Sequence, residues 1–234
     1  MARAVFGMEH NLYTGGKLFM NEKPGIKQYQ EGHKEYDKWL ANGDIACLKK
    51  AADFYRQASE LGYEKACGTM LEIYNFDEFP ISDEEYFNEL SHFAHNKENP
   101  YAMIKICSIV IFPDTVRHIG TANTLKEAIT LQQAIEIMNL GVAIAERISV
   151  PKYGKNNFDL LGMEYNNVAM AYFGYAKIYC SAVNDKKLHL QSAVRCIKQA
   201  IAWVQSMDPK ALPRNPTDDL NGRLKVFNAE LNSL

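Results

Sequence analysis

The strongest constraint on the fold is a pattern of small and large apolar residues that recurs at an offset of 36 positions. Ala58 and Ala66 are eight positions apart, and Ala94 and Ala102 repeat that spacing 36 positions later. Three further pairs of residues with similar size and polarity share the offset: Phe54 and Leu90, Met70 and Ile106, and Tyr74 and Val110. Small alanines let two helices approach closely at a tight turn, and each helix pair leaves an open face that the next pair covers. The pattern therefore predicts a repeat of helix pairs.

The first copy covers residues 55–74 and reads YRQASELGYEKACGTMLEIY. The spacing of its Tyr, Ala and Gly residues resembles the Sel-one-like repeat, a relative of the tetratricopeptide repeat. The matching residues are Tyr55, Ala58, Gly62, Ala66 and Tyr74, with Met70 in the leucine position. The copy departs from the family at Ser59, usually an alanine, and at Leu71, usually a glycine. The second copy, near residues 87–110, has Glu98 where the glycine should fall.

A third copy, near the C-terminal end, is more similar to a tetratricopeptide unit. Its first helix carries Tyr172, Tyr175, Ala176 and Tyr179, and its second carries Ala193, Ile197 and Ala200. The resemblance implies a right-handed stack of helix pairs whose concave surface binds protein or peptide. The family has no shared catalytic residues. Short chains of this kind are often adaptors, or inhibitors that cap a partner.

Helical periodicity covers most of the chain, and no segment alternates with the period of two that is typical of strands. We therefore expect an all-α protein, built as an antiparallel stack of helix pairs (an α-solenoid related to tetratricopeptide proteins). Residues 1–30 are weakly patterned and predict an irregular arm. Residues 31–234 predict a single helical-repeat domain, with a Sel-one-like half at 31–148 and a tetratricopeptide-like half at 159–234. Turn-forming residues at 149–158 indicate a loop between the halves.

Capping signals mark several helix starts. Asp44 follows a helix-ending Asn-Gly pair and is expected to be an N-cap. Ser82 with Glu85, and Thr124 with Glu127, have the spacing of capping boxes. The second box predicts one long helix that follows it and continues to about residue 145. A last helix after residue 217 is expected to cap the stack with one apolar stripe, formed by Leu220, Leu224, Phe227 and Leu231.

Composition and charge narrow the class of protein. The chain has 234 residues, 47% of them hydrophobic, which is enough for a sizeable core. The formal net charge of -2 disfavours a general nucleic-acid binder, because no basic excess is present to neutralise phosphates. Neither a secretory signal nor an apolar run long enough to cross a membrane is apparent. The five cysteines are widely spaced without a CxxC pair, which is typical of buried, reduced thiols in a cytoplasmic protein.

No residue pattern indicates an active site, a metal site or a cofactor. His92 and His95 lie one helical turn apart with Glu89 nearby, but they lack the HExxH arrangement, so a polar helix face is the favoured interpretation. Gly15, Gly16 and Lys17 lack the spacing and the following Ser or Thr of a phosphate loop. We expect no catalytic residues, no metal and no cofactor.

The favoured function is a non-catalytic module that binds a protein partner, as an adaptor or an inhibitor. Six residues are candidate partner contacts, since Tyr rings act as low-entropy anchors and basic groups add charge: Tyr153, Tyr165, Tyr172, Tyr175, Lys187 and Arg195. Core packing between helix pairs is the competing interpretation of the aromatic residues. An all-helical enzyme and a nucleic-acid-associated protein remain alternatives. The latter would use two basic clusters, namely Lys49, Lys50, Arg56 and Lys65, and Lys186, Lys187, Arg195 and Lys198.

Overall fold

The computed structural model describes residues 24–115, 117–153, 162–206 and 217–234. In these ranges the chain forms ten α-helices and no strand, so the predicted all-α class is confirmed. The helices are α1 (Ile26–Asn42), α2 (Ile45–Glu60), α3 (Glu64–Tyr74), α4 (Asp83–Ser91), α5 (Pro100–Ile111), α6 (Ile119–Ala128), α7 (Leu131–Tyr153), α8 (Gly162–Ile178), α9 (Val183–Ser206) and α10 (Thr217–Asn232). A π-helical turn at His92–Asn96 continues α4, and a 3-10 turn at Pro113–Thr115 follows α5.

The chain divides into two compact units. Residues 21–148 form the first unit, in which α1 packs on α2, α2 on α3, and α3 on α5. Residues 149–234 belong to the second unit, in which α9 packs against both α8 and α10.

The first unit is built around α5. Every residue of this helix is buried except Lys105 and Ser108, which are half-buried. A helix that is apolar on all faces needs neighbours on all faces, and α3, α4 and α6 supply them. The approach of α3 is close at Gly68, where a Cβ atom would lie 2.7 Å from the ring of Tyr101.

The two halves of the 36-residue pattern adopt related local structures. Ala58, Ala66, Ala94 and Ala102 are all buried. At the turn between the paired helices, Gly62 has φ 89°, and Glu98, 36 positions later, has φ 48°. Glu98 is the sole non-glycine residue with a positive φ in the described ranges. The second turn thus keeps the left-handed backbone although its residue carries a Cβ.

The π-helical turn accounts for the irregularity of the second copy. In the first copy, the amide of Tyr63 donates to the carbonyl oxygen of Ala58 at 2.9 Å. In the second copy, the amide of Asn99 donates to the carbonyl oxygen of Phe93, also at 2.9 Å but one residue further back. A π-helical turn widens the helix by one residue, which accommodates this difference.

Two predicted helix starts are confirmed and one is wrong. The Asp44 side chain accepts a hydrogen bond from the amide of Ala46, and Ser82 with Glu85 forms the reciprocal capping box. Thr124, by contrast, lies inside α6. Helix α6 ends at Ala128, and the capping box of α7 is formed by Thr130 and Gln133. The backbone amide of Gln133 donates to the Thr130 hydroxyl at 3.2 Å. This pair has the same spacing as the predicted one, so spacing alone does not separate them.

Two predicted boundaries also move. Helix α1 begins at Ile26, inside the predicted arm at 1–30, and residues 1–23 of that arm lie outside the described residues. Helix α7 continues to Tyr153, so residues 149–153 of the predicted loop are helical. Residues 149–153 contain one proline and no glycine, and the glycine of the predicted loop, Gly154, follows them in the sequence.

Candidate partner-binding site

The residues predicted to contact a partner divide into buried and exposed groups. Tyr165 and Tyr172 of α8 are only 7% and 6% exposed, so in this structure their rings pack inside the second unit. Tyr175 is half-buried, and its ring lies 4.8 Å from the ring of His189 on α9. Lys187 and Arg195 are exposed on α9.

Tyr153 is the last residue of α7, and its side chain lies outside the described residues.

In the described part of the second unit, a groove lies between α8 and α10. It has a volume of about 590 Å³, which lies in the range of small-ligand and anchor pockets. Met170 and Phe173 of α8 line one side, and Val226 and Phe227 of α10 line the other. The rings of Phe173 and Phe227 are stacked with centroids 4.4 Å apart, and Phe227 is only 2% exposed. The groove therefore has a fixed apolar floor.

Apolar surface in this groove remains accessible. Val226 is 55% exposed, while Met170 and Phe173 are half-buried. From the sequence, Phe227 was predicted to belong to the apolar stripe of a capping helix, whereas Val226 was not predicted to contact a partner. An apolar stripe at helical spacing marks the residues that face the core, and it gives no signal for an apolar residue elsewhere on the same helix.

Charged residues lie at one end of the groove. Asp218 and Asp219 are exposed in the first turn of α10, where negative charge complements the helix dipole. In the described part of the chain, neither carboxylate forms an ion pair. Arg223, one turn further along, donates from Nη1 to the Oδ1 atom of Asn166 at 2.5 Å. The groove thus presents two carboxylates at one end and a held guanidinium beside its apolar centre.

A single carboxylate joins the three helices that form this unit. Glu230 of α10 accepts hydrogen bonds from Lys177 of α8 and Lys186 of α9, both at 2.8 Å. The hydrogen bond from Lys177 and then that from Lys186 lower the pKa of Glu230. Lys186 belongs to one of the predicted basic clusters, so part of that cluster is neutralised within the unit.

One histidine of the predicted pair, His92, takes part in a network of hydrogen bonds and ion pairs in the first unit. His92 Nε2 lies 2.8 Å from Glu60 Oε1, and Lys97 Nζ lies 2.7 Å from Glu60 Oε2. The hydrogen bond from Lys97, and then that from His92, lower the pKa of Glu60. His95 is exposed at the end of the π-helical turn. The network connects α2 to the end of α4.

One buried histidine in the first unit was not predicted from the sequence. His118 is 1% exposed, and its Nδ1 and Nε2 lie 2.9 Å from Asp83 Oδ1 and the Tyr74 carbonyl oxygen, respectively. Its ring stacks on Tyr86 with centroids 4.2 Å apart. Both ring nitrogens therefore have a hydrogen-bond partner within the fold. The arrangement joins the ends of α3, α4 and α6, and leaves no ring nitrogen for chemistry.

The cysteines are all free thiols. Cys47, Cys67, Cys107 and Cys196 are buried, and Cys180 is half-buried. Burial raises the pKa of the Cys107 thiol to about 12, and it also raises the pKa of Cys180. A raised pKa lowers the thiolate fraction, so these two thiols lack the activation expected of a nucleophile.

The described ranges contain neither a group of metal-binding side chains nor a single helix with the length and apolarity to cross a membrane. No three His, Cys, Asp or Glu side chains converge there as a metal site would require. Helix α6 and residues 131–145 of α7 reach membrane-spanning length and apolarity only as a pair, and the pair is bent by 102°. Compared with known proteins, the chain matches no protein-family model, no curated protein and no solved structure.

Proposed function

We propose that this chain is a non-catalytic module that holds a protein partner through the groove between α8 and α10. The observation that carries the proposal is the accessible apolar surface of that groove, which has a fixed aromatic floor and an exposed Val226. Exposed apolar side chains beside a concave surface are typical of places where a partner excludes water. The partner is a protein or peptide, and the module acts as an adaptor or an inhibitor.

The helical architecture supports the same proposal. We infer an antiparallel stack of helix pairs, an α-solenoid related to Sel-one-like and tetratricopeptide proteins. The inference draws on the four buried alanines at the 36-residue offset and on the left-handed backbone at both Gly62 and Glu98. Stacked helix pairs form extended surfaces that suit protein binding. In this arrangement α10 covers the last pair.

The polar groups of the described residues favour binding over catalysis. The most buried histidine, His118, has both ring nitrogens engaged by acceptors within the fold. The thiol of Cys107 is deeply buried and its pKa is raised. A catalytic base or nucleophile must instead face a space that substrate can enter.

A differential capture experiment tests the proposal. The wild-type protein and two variants, Val226→Glu and Val183→Glu, are immobilised, and proteins that bind from a native lysate are compared by quantitative mass spectrometry. Val183 is a matched control because it is 56% exposed, close to the 55% of Val226, but does not line the groove. We expect at least one protein to bind the wild type and Val183→Glu equally and to lose at least tenfold of its signal on Val226→Glu.

Circular dichroism melting of the three proteins establishes that the substitutions leave the fold intact, as expected for exposed positions. Equal capture by all three proteins would refute the groove as the binding site. Capture of nucleic acid in place of protein, weakened steeply by salt, would favour the nucleic-acid alternative.

A further inference from the structure

We propose that the α8–α10 groove takes a peptide segment with one large apolar anchor and a Lys or Arg side chain about 10 Å away from it. This inference rests on the proposed function and adds the chemistry of the partner. Its basis is the order of the groups along the groove: two carboxylates, then a guanidinium, then an exposed apolar surface.

The apolar end of the groove fits a single large side chain. Val226 is exposed, and its neighbours in the groove wall are the half-buried Met170 and Phe173. An aromatic or aliphatic side chain placed there would cover these three residues against the buried Phe227 ring. Removal of their apolar surface from water supplies the binding energy, and the Phe173 and Phe227 rings are already packed against each other before a ligand binds.

The charged end of the groove selects a cation. Asp218 and Asp219 are exposed, so a ligand ammonium or guanidinium can reach them without removal of an existing ion pair among the described residues. They lie seven or eight residues before Val226 on α10. A rise of about 1.5 Å per residue places them about 10 Å from the apolar end. That distance corresponds to two turns of a helix, and in an extended peptide, where alternate side chains share a face, to a separation of two or four residues.

Arg223 restricts where the cation can sit. It lies between the carboxylates and Val226 in sequence, and it is held towards α8 by its hydrogen bond to Asn166. A ligand cation next to the apolar anchor would meet this guanidinium at close range, whereas a cation at the far end would meet the carboxylates. The groove therefore discriminates by repulsion as well as by attraction. A phosphate backbone would meet the carboxylate pair, which disfavours nucleic acid as the occupant.

Peptide phage display on the full-length protein tests the inference. A random 16-residue library is selected on wild-type protein alone, and the enriched peptides are then compared for binding to wild type and to Val226→Glu. We expect enriched sequences to share a large apolar residue with Lys or Arg two or four positions away in extended peptides, whose alternate side chains share a face, or seven positions away in helical ones. Synthetic peptides from the selection are then measured by fluorescence polarisation.

Two changes isolate the charge. A peptide with its conserved Lys or Arg replaced by Glu is expected to bind at least tenfold more weakly. The double variant Asp218→Asn/Asp219→Asn is expected to bind the original peptide about three- to tenfold more weakly, since exposed ion pairs contribute modestly, and added salt should reduce this difference. The peptide change leaves the protein untouched, so a folding defect in the double variant cannot mimic its result.

The possible failures are distinguishable. Enriched peptides that depend on Val226 but lack a basic residue, or that tolerate the Glu replacement, would refute the charge inference and leave the proposed function standing. Enriched peptides that bind Val226→Glu as tightly as wild type, or a selection without enrichment, would overturn the groove and both proposals with it.

Discussion

Glu98 occupies a backbone conformation that suits glycine, and its replacement by glycine should stabilise the first unit. Its φ of 48° lies in the left-handed region, which costs an L-residue about 1–2 kcal/mol. Glycine avoids this cost, but it loses about 0.5–1 kcal/mol through the greater freedom of the unfolded chain. The net expectation for Glu98→Gly is a gain of about 0.5–1 kcal/mol in the free energy of unfolding.

Two further variants isolate the backbone effect. Glu98→Ala removes the exposed side chain but keeps the Cβ, so its stability should stay within about 0.5 kcal/mol of wild type. Gly62→Ala places a Cβ at φ 89°, where no atom lies within 4 Å, so it adds backbone strain without a clash. We expect Gly62→Ala to destabilise the unit by about 1 kcal/mol. The two turns should thus respond in opposite directions.

Urea unfolding followed by tryptophan fluorescence measures these changes in one unit at a time. The chain has two tryptophans, Trp39 on α1 and Trp203 on α9, so a Trp203→Phe background reports on the first unit alone. Trp39 stacks on Phe76 and should respond when the unit unfolds. With an m-value of about 1–3 kcal/mol/M, the expected shift in midpoint for Glu98→Gly is about 0.2–1 M. Equal midpoints for Glu98→Gly and Glu98→Ala would refute the argument from backbone strain.

Three further outcomes are expected in the corresponding single-tryptophan backgrounds. Gly68→Ala should destabilise the first unit by about 1–3 kcal/mol in urea unfolding, because the new Cβ meets the Tyr101 ring at 2.7 Å. Burial lowers the pKa of His189, so the unfolded chain takes the proton more readily; the second unit should lose stability as pH falls below about 6.5, and His189→Phe should remove that loss in melts across pH. The hydrogen bond from Lys177 lowers the pKa of Glu230, so its stabilisation is present near neutral pH and is lost as pH falls below the ordinary glutamate pKa of about 4.3; the stability deficit of Glu230→Gln should shrink over the same range, and a constant deficit would contradict an ionic role.

Structural features that are determined within one helical turn were predicted correctly from the sequence. The capping box of Ser82 and Glu85 and the N-cap at Asp44 depend on side chains that accept hydrogen bonds from backbone amides only two or three residues away. The all-α class follows from apolar periodicity, which also depends on near neighbours along the chain. The break between α6 and α7 was misplaced because Thr124 and Thr130 begin equally good capping motifs, and packing selects between them.

Features that depend on distant residues were not predictable in this way. The π-helical turn at His92–Asn96 leaves no periodic signal, and the contacts of His118 with Asp83 and Tyr74 join positions 35 and 44 residues apart. The ion pair between Arg56 and Glu89 likewise spans 33 residues. Such pairs form only after the helices that carry them have packed.

The candidate site illustrates the same division. Composition indicates that α8 is rich in aromatic residues, but aromatic residues cover more than one of its faces, so the sequence has no marker for the face that stays open. Packing against α9 and α10 buries Tyr165 and Tyr172 and leaves Phe173 at the groove beside the exposed Val226. Helix type is set by local chemistry, because caps and periodicity act over a few residues. The exposed surface of each helix is set by its neighbours, because burial is shared between segments that are far apart in the chain.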